Sequence, residues 1–150
     1  MTYRGILSDQ YLDSDVEQDR LNIWHQRFKS PPDNQAITVA LSDETIIGFC
    51  CLYLHDDPVF GSLIDNLHVA SLYQNSGIGK MLIKESARII CKHATLKAMY
   101  LWVYEANKNA RIAYDHFGGT CIETIEKENP DGTSSRVCRI VWDDASKFLI

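Results

Sequence analysis

The chain has 150 residues, 45% hydrophobic and 23% charged, which is the size and balance of one folded domain able to bury roughly 70% of its extended-chain surface. That balance excludes a disordered chain, and a formal charge of −5 argues against a nucleic-acid partner, which usually requires a basic face. No apolar run approaches the roughly 20 residues that cross a bilayer and no N-terminal signal peptide is recognisable, so the expectation is a cytoplasmic protein with no membrane segment.

In chain order, "LDSDVEQDRLNIWHQRF" predicts a helix. Ser14 and Glu17 form a capping box, and Leu21, Trp24 and Phe28 follow on one face. "SPPDNQ" (Ser30 to Gln35) is a loop. "AITVAL" (Ala36 to Leu41) and "TIIGFCCLYLH" (Thr45 to His55) are β-rich runs joined by a short polar connector, the signature of a hairpin. "DDPVFG" is a second turn, and "SLIDNLHVA" (Ser62 to Ala70) a third strand. A glycine turn leads to a helix from Ile78 to His93, with Ile78, Met81, Leu82 and Ile89 predicted to share its buried face. Lys80, Lys84, Arg88 and Lys92 recur at spacing four and read as a solvated stripe. "AMYLWVY" (Ala98 to Tyr104) is a strand. Asn107 to Phe117 reads as a helix burying Ala110, Ala113, Tyr114 and Phe117, ended by Gly118 and Gly119. "TCIETIEKE" and "RVCRIVW", joined by "NPDG", form a closing hairpin. The order predicts a mixed α/β domain, a mostly antiparallel central sheet with helices on both faces.

Cysteines stand at 50, 51, 91, 121 and 138 with no CxxC pair. An odd, unpatterned set reads as free thiols in a reducing compartment. The five histidines are scattered, so no metal site is predicted.

The chemistry concentrates in "QNSGIGK", Gln74 to Lys80, between a strand and a helix. Backbone N–H groups converge at such a turn, and the helix start adds roughly half a positive charge. Glycine at 77 and 79 lets the backbone approach an anion closely. A P-loop fails here, since Gln74 and Met81 replace its glycine and its Ser/Thr. A dinucleotide fingerprint fails at Leu82, where the third glycine belongs. What remains is Q-x-x-G-x-G at Gln74, Gly77 and Gly79.

That pattern resembles the pyrophosphate loop of the GNAT superfamily, the acetyl-CoA-dependent N-acetyltransferases. "LHVASLYQNSGIGKML" is similar to the family's strand–loop–helix run, and "NKNARIAYDHFGG" to its downstream helix. The resemblance implies a GNAT-like fold with acetyl-CoA as cosubstrate and an amine as acceptor, and no metal. It implies that the backbone of Leu67, His68 and Val69 pairs with the pantetheine arm. Gln74, Asn75, Ser76, Gly77, Ile78, Gly79 and Lys80 would hold the pyrophosphate, with Asn107 and Ala110 near the cofactor. Tyr114 would protonate the leaving thiolate, for which a hydroxyl of pKa about 10 suits a thiol of about 8.5. The residues alone also allow Tyr114 as a core aromatic and Asn107 as a helix cap. The general base stays open between Asp65, His68 and water, with Asp65 and His68 predicted on opposite faces of their strand. Asp56, Asp57 and Glu105 are candidates for attracting a cationic amine. Ala70 stands where the family usually has proline, and the family's first strand and helix are expected to be missing ahead of "YRGIL". An edge left by that absence would favour a homodimer. A non-catalytic acyl-CoA-binding module is the alternative function, and a nucleotide-binding domain a weaker one.

Overall fold

The computed structural model describes residues 33–149. The helix expected over Ser14 to Phe28 and the expectation about the first strand and helix lie outside those residues.

Among the described residues, six strands form one sheet: β1 (Gln35–Ser42), β2 (Thr45–Asp57), β3 (Gly61–Val69), β4 (Met99–Tyr104), β5 (Thr120–Glu128) and β6 (Ser134–Trp142), in the order β1-β2-β3-β4-β6-β5. Helix α1 (Ile78–His93) connects β3 to β4, and α2 (Lys108–His116) connects β4 to β5. The hairpins β1–β2, β2–β3 and β5–β6 and the β4–β6 pair are antiparallel. Only β3 and β4 are parallel, as a crossover through α1 requires. Element types and order agree with expectation, and boundaries differ by a residue or two.

Both described helices pack on one sheet face. Leu82, Ile83, Ala87 and Ile90 of α1 join Met99, Leu101 and Val103 of β4 and Cys138, Ile140 and Trp142 of β6 in a single core, against which Ala110, Tyr114 and Phe117 lean from α2. The face predicted for α1 is corrected in part. Leu82 is buried, but Met81 is 65% exposed, and the buried set is Leu82, Ile83, Ser86, Ala87 and Ile90. Met81 is one residue too early, because the helix axis turns the 82/83/86/87/90 stripe onto the sheet. Lys80, Arg88 and Lys92 are solvated and Lys84 half-buried, with Arg88 paired to Glu85 at 2.8 Å.

Two irregularities shape the middle of the sheet. β3 and β4 pair only at Ser62–Met99 and Leu63–Tyr100, after which the ladder stops. Along β2–β3, Cys51 faces Asp65 and Phe49 faces His68. Three steps on β3 match two on β2, which is a bulge, and Asn66 within it has φ of 52°. Strict alternation would send Asp65 and His68 to opposite faces. The extra residue instead puts both on the face away from α1, correcting the expectation.

All five cysteines are free thiols. Cys50 Sγ lies 3.5 Å from Ser86 Oγ under α1, and burial pushes its thiol up to about 11. A thiol is reactive as its thiolate, so this one is inert. In native protein, Ellman's reagent is expected to titrate exposed Cys121 first and half-buried Cys91 more slowly. Cys50, Cys51 and Cys138 should react only after unfolding; rapid reaction of more than two native thiols would show that the core is open.

Candidate functional site

Where β3 and β4 part, a cleft of about 630 Å³ opens through the sheet. Its walls are built from backbone as much as from side chains. Past Leu63, the edge of β3 that faces β4 has no ladder partner. Leu67, His68 and Val69 line the cleft along that edge, where an extended chain could pair as an added strand.

The glycine turn stands at the end of β3. After a single 3₁₀ turn (Ser71–Tyr73), Asn75 and Gly77 adopt left-handed conformations, with φ of 63° and 87°. Gly77 is the N-cap of α1, and no side chain caps that helix. The first helical bond runs from Met81 N–H to the Gly77 carbonyl at 3.1 Å, so the amides of Ile78, Gly79 and Lys80 have no helical acceptor. A Cβ added at Gly79 would meet only Val69 Cγ2, at 3.9 Å. The chain itself has room for a side chain there.

Within the turn the predicted residues divide. Asn75, Gly77, Gly79 and Lys80 line the cleft, with Lys80 Nζ 5.8 Å from the centre of the Phe117 ring. Gln74 lines it too, but its Nε2 donates to the Val69 carbonyl at 3.2 Å. Its side chain thus fastens the turn to the strand end. The Ser76 hydroxyl donates to the Tyr73 carbonyl, and the Ile78 side chain packs against the core. These two side chains shape the turn, and neither residue is among those lining the cleft.

Helix α2 supplies the facing wall. Asn107 caps it, its Oδ1 accepting from Ala110 N–H at 3.3 Å. Asn107, Ala110 and Tyr114 line the same cleft as the glycine turn. The Tyr114 ring meets Trp142 edge-on, at 6.2 Å and 85°, and Trp142 Nε1 donates to the Phe117 carbonyl at 3.2 Å.

The opposite mouth of the cleft was not foreseen in full. Asp65 and His68 border it from β3, and Trp102 and Tyr104 from β4. Sequence reasoning passed over the two aromatics, whose only local signal is their alternation with Leu101 and Val103. Asp56, Asp57 and Glu105 lie outside the cleft lining. Asp56 accepts from the Tyr100 hydroxyl, which burial and that acceptor push well above the ordinary tyrosine range. Asp57 Oδ1 accepts from the N–H groups of Phe60 at 2.9 Å and Val59 at 2.7 Å, bonds that hold its carboxyl below the usual range. Glu105 pairs with Arg136 at 3.3 Å. Each is occupied in building a turn or a strand end. Among the described residues, no group of histidines, cysteines and carboxylates could hold a metal ion, and no helix is long and apolar enough to cross a membrane.

Comparison with solved structures shows what shares this architecture. The chain superposes on spermidine N-acetyltransferase from Vibrio cholerae, solved with CoA and spermine, with a TM-score of 0.68 over 89% of this chain and 78% of that one, at 18% identity. A chimera containing that enzyme gives 0.69 over 97% and 85%, at 19% identity. Ribosomal-protein-alanine N-acetyltransferase from Brucella melitensis gives 0.65 over 84% and 77%, at 16% identity. At such identities the likeness is one of fold. No curated protein sequence gives a match. The profile of the Acetyltransferase (GNAT) family, however, matches residues 2–118, and with that span the chain belongs to the GNAT acetyltransferase family.

Proposed function

We propose that the protein transfers the acetyl group of acetyl-CoA to a primary amine by direct attack, with both substrates bound together. One observation carries this most: the uncapped start of α1 opens into the same cleft as the unpaired edge of β3 and the side chains of Asn107 and Tyr114. An uncapped helix start leaves several N–H donors for an anion, and a pyrophosphate fits that demand. The unpaired edge suits the amide groups of the pantetheine arm. The donor substrate thus satisfies two sets of backbone groups that the fold leaves open.

Acetyl transfer moves two protons. The amine must lose one as its nitrogen bonds to the carbonyl carbon, and the sulfur must gain one as the C–S bond breaks. Tyr114, on the cleft wall beside Asn107, is the proposed donor to the sulfur. A strand N–H along the cleft is suited to stabilise the carbonyl oxygen as charge builds on it. The proton leaving the amine passes to Asp65 or His68, both at the mouth opposite α1, or to water. No covalent intermediate is needed, and the buried Cys50 with its raised pKa offers no nucleophile.

Calorimetric titration with acetyl-CoA, using ATP and NAD as controls, tests the donor site. Binding of acetyl-CoA alone supports it, and preferential binding of ATP or NAD would replace it with a nucleotide site. Tyr114→Phe keeps the ring against Trp142 and removes only the hydroxyl. It is expected to lower kcat by about 100-fold or more with acetyl-CoA affinity and Tm unchanged. Unchanged turnover would remove Tyr114 from the chemistry.

Gly79→Ala separates fold from ligand. The added methyl has room within the chain, and alanine favours a helix over glycine by about 0.5–1 kcal/mol. Stability is expected to hold or rise while acetyl-CoA binding weakens by roughly tenfold, about 1.4 kcal/mol. A variant that loses stability and keeps its affinity would show that the turn is structural.

A further inference from the structure

On the sheet face away from α1 and α2, one row of side chains crosses three strands. The register sets Glu123 of β5 opposite Arg139 of β6, and Arg139 opposite Trp102 of β4. Next in the row comes the cleft, and across it β3 presents Asp65 and His68 on the same face.

Arg139 is clamped within this row. Its guanidinium carbon lies 4.2 Å from the centre of the Phe60 ring, 4.4 Å from Trp102 and 5.2 Å from Tyr100. Its Nε is 2.8 Å from Glu123 Oε1, and the side chain is only 16% exposed. That Nε is buried and not aligned for a hydrogen bond, so an ion pair is what holds it. Tyr100 is fixed in turn by its bond to Asp56. Cation–π contact strengthens when the cation is desolvated, and the planar guanidinium is the side chain best suited to it. Of the three rings around Arg139, only Trp102 also borders the cleft.

We propose that Arg139 is a positioning residue for the acceptor side. It fixes the Trp102 ring as a wall facing Asp65, so that the acceptor's body lies on the ring while its amine sits toward β3. Trp102 touches Arg139 and borders the cleft, so loss of the guanidinium frees its ring to turn toward the opening. The clamp also limits the substrate class. A ring whose electron density already faces a guanidinium offers less to a second cation, while an apolar body loses nothing by stacking on it. The site therefore takes a single ammonium on an apolar or aromatic body in preference to a polycation. This rests on the transferase assignment made above.

The test compares phenethylamine and spermidine as acceptors in wild type, Arg139→Met and Glu123→Gln. Wild type is expected to show the higher kcat/KM with phenethylamine. Arg139→Met should raise the phenethylamine KM by about fivefold or more, with kcat within about twofold and acetyl-CoA affinity unchanged. Glu123→Gln keeps the arginine and loosens it, so a smaller KM increase in the same direction is expected even if the methionine variant folds poorly. A preference for spermidine overturns the proposal, as does a phenethylamine KM unmoved in both variants. Acetyl-CoA binding without turnover of either amine also overturns it while leaving the donor site standing. If acetyl-CoA does not bind wild type, the transferase assignment has failed and this proposal falls with it.

Discussion

The structure depends on one broken ladder. β3 and β4 run parallel and hold together through two residue pairs, and then they part. A parallel pair needs a crossover, and here the crossover is α1. The helix therefore starts where β3 ends, at the mouth of the opening the strands leave. Ligands of open α/β sheets gather at such strand ends for the same topological reason. A strand edge past the end of its ladder and a helix start without a side-chain cap come to share one cleft. Backbone polar groups carry a cost when left unpaired away from water, which is why the proposed donor is one that can pair with both.

Aromatic contacts flank the parting on both sides of the sheet. On the helix side, Tyr114 rests edge-on against Trp142, which is tied to the end of α2 through the Phe117 carbonyl. On the far side, Trp102 is held by Arg139 within the Phe60–Tyr100–Glu123 cluster. Core packing of Ile83, Ala87 and Ile90 against β4 and β6 sets the position of α1 between them. Interiors packed this closely transmit small displacements. The hydroxyl proposed to protonate the sulfur and the ring proposed to bear the acceptor are thus fixed by separate clusters on separate faces.

Features with a local cause were readable from the sequence. The glycine turn showed itself through two glycines and a strand-to-helix change of period, and Asn107 through its place just before an apolar stripe. Ala110, Tyr114 and Phe117 fell on the buried face because α2 has only one apolar stripe. Features with a non-local cause were hidden. Met81 and Ile83 are equally apolar neighbours, and the angle at which α1 meets the sheet chooses between them. The bulge at Asn66 has no signature in "IDNLH", yet it moves His68 to the face of Asp65. The amide of Gln74 reaches back to Val69, a bond that depends on the path of the turn and has no sign in the sequence.

The same division separates what family membership settles from what it leaves to the individual chain. The half of the cleft proposed for the donor is made mainly of backbone, its geometry dictated by a short local motif, and a motif is what a family shares. The half proposed for the acceptor is made of side chains brought together by register: Asp65 and His68 by a bulge, Trp102 beside Arg139, Arg139 beside Glu123 from the far edge of the sheet. Substitution at any of those positions leaves the glycine turn intact and rebuilds the wall an acceptor meets. In this chain, the residue with most control over the wall is Arg139, a cation with three rings around it, two strands away from the β3 wall on which the amine is proposed to sit.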